Sequence, residues 1–152
     1  MKWFLLGARL LVGGVWIVAG ALKLPDPAVS VRAVRAYDLL PESIVPTVGH
    51  LLPVAEVVIG GCLVLGLLTR SVAAASGLLF VAFIIGIASA WARGLQIECG
   101  CFGGGGYKAG ASASYPWEIA RDTGLLLLSL LLIWRPRTPW AADTLLAEKV
   151  PA

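Results

Sequence analysis

Residues 3–22 read WFLLGARLLVGGVWIVAGAL, and this apolar stretch decides the fold class. An α-helix rises about 1.5 Å per residue, so about 20 apolar residues cross the roughly 30 Å hydrocarbon layer of a bilayer. Arg9 is the only charged residue that interrupts the stretch. We therefore predict that residues 3–22 form a membrane-spanning helix.

The composition of the whole chain agrees with this prediction. Of its 152 residues, 59% belong to the apolar set AVILMFWYC and only 14% are charged. A soluble domain is typically about 45–50% apolar and about 25% charged. The net charge is +3, but the basic residues stand singly between apolar stretches and form no cluster that could bind a phosphate backbone. The composition argues against a water-soluble enzyme, a disordered chain and a nucleic-acid-binding protein.

Three further apolar stretches follow, at residues 48–68, 72–92 and 116–134. Gly and Ala are frequent in the first three stretches, and small residues let membrane helices pack closely. We predict an all-α fold, an integral four-helix bundle in the plasma membrane with both termini on the same side. One membrane domain would cover residues 1–135, with a loop at 93–115. A Pro-bearing, charged tail at 136–152 is expected to be poorly ordered.

The direction of the bundle depends on the basic residues near the ends of the spans. Both sides of the predicted bundle carry five Lys or Arg residues, so the count alone gives no direction. On the side of the termini, Lys2, Arg70, Arg135 and Arg137 all lie close to span ends. This placement favours cytoplasmic termini and an extracytoplasmic loop at 93–115.

Two cysteines in this loop flank a single glycine, in the sequence Glu98-Cys99-Gly100-Cys101-Phe102. A zinc site needs four ligands, or three and a water, and no second cysteine pair exists, so we predict no metal. A disulfide between Cys99 and Cys101 would close a tight ring, and strained disulfides are the labile or catalytic ones. We predict a redox-active pair; the alternative is a static disulfide or two inert thiols. Cys62, inside the second stretch, is interpreted as a small apolar filler.

Five ionisable side chains fall inside the predicted spans: Arg9, Glu56, Glu118, Arg121 and Asp122. The helical rise places Glu56 about 12 Å and Asp122 about 9 Å below the surface on the side of the cysteine loop. We predict that Glu56, Glu118, Arg121 and Asp122 meet in one polar layer beneath the cysteines. This layer would serve as a proton relay or quinone site, or would pair its charges to fix helix register. Arg9 would reach the opposite surface or Glu56.

Two features near the loop side complete the prediction. The segment 29–40 alternates Val, Ala and Leu with charged residues and predicts a short amphipathic helix on the membrane surface. His50, near the mouth of the second span on the side of the cysteine loop, is interpreted as an interface residue, with proton donation to the cysteines as the alternative.

Three motifs together resemble one known family. They are the Gly-Ala-Leu-Lys-Leu-Pro-Asp-Pro stretch at 20–27, Glu56 in a Gly-rich second span, and the Cys-Gly-Cys-Phe-Gly stretch at 99–103. The chain resembles the MauE family of methylamine-utilisation membrane proteins, within the DoxX-like group of four-helix membrane proteins, over about residues 4–135. The resemblance implies maturation of a periplasmic, disulfide-rich dehydrogenase alongside a thioredoxin-like partner, and the DoxX-like side implies redox coupling to quinone. It implies a redox role for Cys99 and Cys101 and a functional role for Glu56.

These observations favour a thiol–disulfide oxidoreductase of the membrane. Cys99 and Cys101 would exchange with an extracytoplasmic thioredoxin-like or DsbA-like protein through a mixed disulfide, with quinone as a loosely bound carrier. One alternative is a non-catalytic assembly or export factor that holds a partner protein. A small transporter is less favoured, because only the second span contains an interior proline.

Overall fold

The structure, a computed structural model, describes residues 2–136 and 138–143 of the chain. Within these residues it contains five α-helices, one short two-stranded ribbon and a single 3-10 turn at Ala111–Ala113. The elements in chain order are α1 (Lys2–Lys23), α2 (Pro27–Ala36), α3 (Val45–Leu65), α4 (Thr69–Ala92), β1 (Ile97–Glu98), β2 (Gly106–Tyr107) and α5 (Tyr115–Trp134). The mostly helical fold confirms the predicted helical character.

In the part of the chain that the structure describes, three helices, α1, α3 and α4, are long and apolar enough to cross a membrane. Helix α5 coincides with the fourth predicted span, but its first two turns carry Glu118, Arg121 and Asp122. Length and composition therefore do not mark α5 as a span. The four-helix arrangement in a bilayer and the side of the termini stay predictions.

The four long helices share one apolar core. Its fully buried members include Val12, Trp16, Leu63, Phe80 and Leu132. The rings of Trp16 and Phe80 lie 4.5 Å apart, centroid to centroid. Trp16 Nε1 donates a hydrogen bond of 2.7 Å to Ser76 Oγ, which lies 3.1 Å from Ser129 Oγ. Because a buried indole N–H needs an acceptor, this chain of polar groups fixes the relative register of α1, α4 and α5.

Helices α1 and α3 approach each other through glycines. A Cβ on Gly13 would lie 2.9 Å from the carbonyl oxygen of Gly60, and one on Gly20 would lie 2.7 Å from that of Pro53. Both distances are shorter than a van der Waals contact allows, so larger residues would force the helices apart. This contact follows the predicted use of small residues in helix packing.

The predicted amphipathic helix is present but shorter than expected, and its position on the membrane surface stays a prediction. Helix α2 begins after Asp26, whose side chain caps the Ala28 N–H at 3.1 Å, and it ends at Ala36 rather than at Leu40. The positive φ of Asp38, 48°, prevents the helix from continuing. Its buried face packs against α3, where Gly49 lies directly beside Val31.

Residues 138–143 of the predicted tail lie against the helices and give a buried cation its acceptors. Arg9 is only 2% exposed, and its Nη1 donates to Thr138 Oγ1 at 2.6 Å while its Nη2 donates to the Trp140 carbonyl at 3.3 Å. Arg9 therefore neither extends to the surface nor reaches Glu56. Residues 144–152 of the predicted tail lie outside the described residues.

The same segment also caps a helix. The carboxylate of Asp143 accepts hydrogen bonds from the backbone N–H groups of Leu68, at 2.7 Å, and Thr69, at 2.8 Å. These groups stand at the N-terminus of α4, where no partner exists within the helix itself. The C-terminal segment thus holds the end of the molecule opposite the cysteine loop.

Candidate functional site

A short β-hairpin carries the two cysteines. Strands β1 and β2 pair antiparallel with Ile97 opposite Tyr107 and Glu98 opposite Gly106, so residues 99–105 form the connecting loop. The buried Tyr115 hydroxyl accepts the Ile97 N–H at 3.0 Å and donates to the Leu95 carbonyl at 2.8 Å. These bonds fasten the hairpin to the N-terminus of α5.

The loop also rests directly on α2 and its C-terminal cap. Gly100 has a φ of 72°, and a Cβ there would lie 2.5 Å from the Cβ of Ala33. Only glycine combines this left-handed conformation with so close an approach. The Tyr37 hydroxyl donates a hydrogen bond of 2.9 Å to the Cys99 carbonyl oxygen. Burial raises the pKa of Tyr37, so this phenol stays protonated and keeps donating.

The two cysteines are thiols with different environments. Cys99 is half-buried, whereas Cys101 is 7% exposed. Hydrogen bonds from the Cys101 thiol and from its backbone N–H, at 3.4 Å, lower the pKa of Cys99 although burial opposes this. The same thiol pairing, burial and the charge of Asp122 raise the pKa of Cys101. The pair therefore combines a more acidic, more accessible thiol with a buried, protonated one.

An ion pair lies directly beneath Cys101. Arg121 Nε and Nη2 donate to Asp122 Oδ1 at 2.9 and 2.8 Å, and the guanidinium stacks 4.9 Å from the Phe102 ring centroid. Asp122 is 2% exposed, and its Oδ2 has no hydrogen-bond partner among the described residues. Cys101, Arg121 and Asp122 line a cavity of about 10 Å³, roughly the room that one water needs.

A polar cleft opens above the cysteines. It has a volume of about 570 Å³, and its lining includes Cys99, Cys101, Lys108, Glu118 and Arg121. At its rim Lys108 Nζ lies 2.6 Å from Glu98 Oε1, and Ser114 Oγ donates to Glu118 Oε1 at 3.2 Å. A cleft of this size with mixed charges can accept a segment of another protein.

An apolar pocket of about 280 Å³ lies between α2, α3 and α4 and also reaches Cys99. Its polar lining residues are Lys23, Ser30, Tyr37 and Cys99. Lys23 Nζ lies 2.7 and 2.9 Å from the two carboxylate oxygens of Glu56, and these side chains are 2% and 0% exposed. The ion pair is therefore almost completely buried, and Lys23 is its member that lines the pocket.

The structure divides the predicted polar layer into two ion pairs. Glu118, Arg121 and Asp122 accompany the cysteines around the polar cleft and the small cavity. Glu56 pairs with Lys23, at the last turn of α1, beside the apolar pocket. Phe83 lines both the small cavity and the apolar pocket, and its ring centroid lies 6.0 Å from Lys23 Nζ.

The two other predicted candidates lie away from the cysteines. His50 is exposed, with Nδ1 2.6 Å from the Pro46 carbonyl oxygen, and it lines none of the three cavities described above. Cys62 is half-buried near the C-terminal end of α3, which points away from the cysteine loop.

Sequence reasoning missed Lys23, Ser30 and Tyr37. Lys23 follows Trp16 by seven residues and Gly20 by three, so it continues the buried face of α1. An acid inside a span also requires a counter-charge. These two signals could have identified Lys23, whereas nothing in the sequence distinguished Ser30 or Tyr37.

Comparison with known proteins gives one family. A family model described as methylamine utilisation protein MauE matches residues 1–135. No curated protein and no solved structure matches the chain. The family match and the three apolar helices together indicate a membrane protein. Because the matched residues include both ion pairs, the hairpin and every long helix, the chain belongs to the MauE family of methylamine utilisation proteins.

Proposed function

We propose that this protein exchanges thiol and disulfide equivalents with a thioredoxin-like or DsbA-like protein on the extracytoplasmic side of the plasma membrane. The exchange would serve the maturation of periplasmic or secreted proteins. One observation carries the proposal: the cysteine pair combines a thiol of lowered pKa with a buried thiol of raised pKa, where a polar cleft reaches both.

Cys99 is the attacking residue in this reaction. Its thiolate attacks one sulfur of the partner's disulfide, the partner's S–S bond breaks, and the partner's other sulfur leaves as a thiolate and takes a proton. A mixed disulfide now joins Cys99 to the partner. Cys101 then loses its proton and attacks the Cys99 sulfur, which releases the partner as a dithiol. The reverse sequence oxidises the partner's dithiol.

Asp122 accepts the proton of Cys101. Its Oδ1 is occupied by Arg121, while Oδ2 has no partner within residues 2–136 and 138–143. Both Asp122 and Cys101 line the cavity that has room for about one water. One water there would carry the proton from sulfur to carboxylate at the moment Cys101 attacks.

The same proposal includes four membrane spans, α1, α3, α4 and α5, with cytoplasmic termini. Support comes from the helix surfaces, because large apolar side chains such as Val58, Leu78 and Leu127 are exposed on them. Exposed tryptophans occur at both ends of the long helices: Trp3 and Trp134 at one end, Trp91 and Trp117 at the other. Such belts are typical of membrane–water interfaces.

Trapping of the mixed disulfide tests the exchange. With purified oxidised thioredoxin as the probe, Cys101→Ser should accumulate a covalent complex through Cys99, because the resolving thiol is gone. Cys99→Ser should form none, and the matched control Cys62→Ser should behave as the wild type. If both single variants trapped the mixed disulfide equally, or if neither trapped it, Cys99 would not be the attacking residue of the exchange.

A redox titration in membranes by thiol trapping tests the pair independently of any partner. Cys99 and Cys101 should convert between dithiol and disulfide within the physiological range of reduction potentials. Thiols that never oxidise in this range would contradict the proposal. In intact cells, a membrane-impermeant maleimide should label Cys99 and spare Cys62. If the double variant Cys99→Ser/Cys101→Ser still supported protein maturation in vivo, the exchange reaction would be excluded. The protein would then be a non-catalytic assembly or export factor.

A further inference from the structure

One face of α2 lies directly against the cysteine turn, residues 99–101. Ala33 and Tyr37 are four residues apart, and Tyr37, which caps the helix, keeps helical dihedral angles, with φ −70° and ψ −21°. Residues with this spacing share one face of a helix. Ala33 lies beside Gly100, where a Cβ would be 2.5 Å from its own Cβ. The Tyr37 hydroxyl donates to the Cys99 carbonyl oxygen at 2.9 Å. Helix α2 and its cap therefore contact the turn at two successive residues.

The conformation of the turn brings the backbone of Cys101 back onto Cys99. Gly100 has a φ of 72°, and the Cys101 nitrogen lies 3.4 Å from the Cys99 sulfur, to which its N–H donates. Only Gly100 separates the carbonyl group that Tyr37 binds from the N–H that reaches the sulfur. Because the two groups are so close in the chain, a rotation of the Cys99 carbonyl would move that N–H away from the sulfur.

Tyr37 is itself fixed by α4 and the residue that follows it. The Tyr37 backbone carbonyl oxygen accepts a hydrogen bond from the Arg93 guanidinium. Its ring lies against Gly86, where a Cβ would be 3.4 Å from the ring atom Cε1. Burial raises the pKa of Tyr37, so the hydroxyl remains a donor over the whole range in which thiols titrate. The turn therefore meets a donor whose position is set by a long helix.

The Cys99 carbonyl oxygen also has a second possible donor. The Cys101 sulfur lies 4.0 Å from this oxygen, whereas the Tyr37 hydroxyl oxygen lies 2.9 Å from it. With the shorter bond made by Tyr37, the Cys101 thiol is left to donate to the Cys99 sulfur. We propose that Tyr37 is a positioning residue of the cysteine pair: by holding the Cys99 carbonyl oxygen, it directs the N–H and the thiol of Cys101 onto the Cys99 sulfur.

This inference rests on the proposed exchange, in which Cys99 attacks as a thiolate. Hydrogen bonds from the Cys101 thiol and N–H lower the pKa of Cys99. The charges that act on the Cys99 thiol come from α5, where Glu118 raises this pKa and Arg121 lowers it. Both charges remain when the Tyr37 hydroxyl is removed. Loss of the hydroxyl should therefore raise the pKa of Cys99 through the hydrogen bonds alone.

The pH profile of alkylation tests the role of Tyr37. Tyr37→Phe removes the hydroxyl and keeps the ring. In a Cys62→Ser background, iodoacetamide modification is followed by mass spectrometry, with fragment ions that separate Cys99 from Cys101. The midpoint for Cys99 should move to higher pH, and its rate at neutral pH should fall about three- to tenfold, the effect of about one hydrogen bond. The matched control Tyr107→Phe, at an exposed tyrosine of β2, should give the wild-type profile. Identical profiles for the two variants would overturn the proposal.

A purely structural role of Tyr37 would give a different result. If Tyr37→Phe only loosened the turn, Cys101, which is 7% exposed, would become accessible and react as well. The proposal expects Cys101 to stay as unreactive as in the wild type, while Cys99 alone changes its profile. Alkylation of both cysteines at similar rates in Tyr37→Phe would therefore overturn the positioning role.

A second variant acts on Tyr37 from another helix. The three atoms nearest to a Cβ at Gly86 all belong to the Tyr37 ring, so the branched side chain of Gly86→Val would displace that ring. This variant should shift the Cys99 profile in the same direction as Tyr37→Phe. Thermal unfolding shows whether its fold is intact. A folded Gly86→Val protein with the wild-type profile would contradict the proposal, because a displaced ring cannot hold the carbonyl group.

The outcomes separate this inference from the proposed exchange. If thioredoxin forms the mixed disulfide with Cys99 but Tyr37→Phe leaves the alkylation profile unchanged, the exchange stands and the positioning role fails. If Tyr37→Phe shifts the profile of Cys99 alone, while no mixed disulfide forms with thioredoxin, the positioning role stands and the exchange fails.

Discussion

Helix α1 buries one cation near each of its ends, and the two are stabilised in different ways. Arg9 is bound by a hydroxyl and a carbonyl oxygen of the C-terminal segment, and it lines none of the three cavities around the cysteine loop. Lys23 is bound by the Glu56 carboxylate and lines the apolar pocket. Each charge is costly to bury. Of the two cations, only the lysine lines one of these cavities, the apolar pocket that Cys99 also lines.

The largest expected effect comes from removing the carboxylate of the Lys23–Glu56 pair. Glu56→Leu leaves the Lys23 charge buried without a counter-charge, and we expect it to lower the free energy of unfolding by about 3–5 kcal/mol. Denaturant titration in detergent micelles measures the change. The double variant Lys23→Met/Glu56→Leu should recover most of the loss, because it buries no charge. A single variant as stable as the wild type would show that the pair is not buried as described.

A smaller effect is expected at the other end of α1. Arg9→Met removes hydrogen bonds to two neutral acceptors but also relieves the burial of a guanidinium, so we expect a loss of about 1–2 kcal/mol. The same titration compares it directly with Glu56→Leu. If Arg9→Met cost as much as Glu56→Leu, the contrast between the two ends would disappear.

The Asp143 cap of α4 should contribute about as much to the free energy of unfolding as a typical helix cap does. Asp143→Ala is expected to cost about 1 kcal/mol at neutral pH, since Leu68 and Thr69 lose their acceptor. Although partial burial opposes it, hydrogen bonds from Thr69 and Leu68 lower the pKa of Asp143. A lowered folded-state pKa adds stability above the unfolded value of about 3.9, and this is lost as pH falls through the folded pKa. The free energies of unfolding of wild type and Asp143→Ala should therefore converge in acid. A difference that stayed constant with pH would contradict the capping role of Asp143.

The smallest effect concerns reactivity rather than stability. The positive charge of Arg121 is one of the contributions that lower the pKa of Cys99. Arg121→Gln should therefore shift the alkylation of Cys99 by iodoacetamide to higher pH, because the thiol stays protonated over a wider range. Mass spectrometry in a Cys62→Ser background follows the shift. Arg32→Gln, an exposed arginine on α2, serves as the control, and identical profiles for the two variants would argue against the role of Arg121.

The sequence predicted the long helices to within a few residues, because hydrophobic length depends on local composition alone. The second span was placed at 48–68, whereas α3 ends at Leu65, because Gly66 takes a left-handed conformation with φ 69°. A glycine inside a Gly-rich stretch gives no signal of this kind. The fourth predicted span does form a helix, α5, and it carries Glu118, Arg121 and Asp122. The length and composition of α5 do not by themselves mark it as a span.

The site was harder to predict, because its side chains come from different helices and meet only when those helices pack together. Lys23 stood in the sequence as a charge flanking a span, yet the close contact of α1 and α3 at Gly20 brings its ammonium onto Glu56. Ser30 comes to line a cavity only because three helices, α2, α3 and α4, pack around that cavity. The cysteine pair, in contrast, was visible because its two residues are neighbours in the chain.

The shared lining of Cys99 and Gly100 has a further consequence. These two residues border both the polar cleft and the apolar pocket, so the cysteine loop itself separates the two cavities at this point. Because Gly100 has no side chain, the loop can lie against Ala33 of α2 and border both cavities, so a larger residue at this position would disturb both cavities at once.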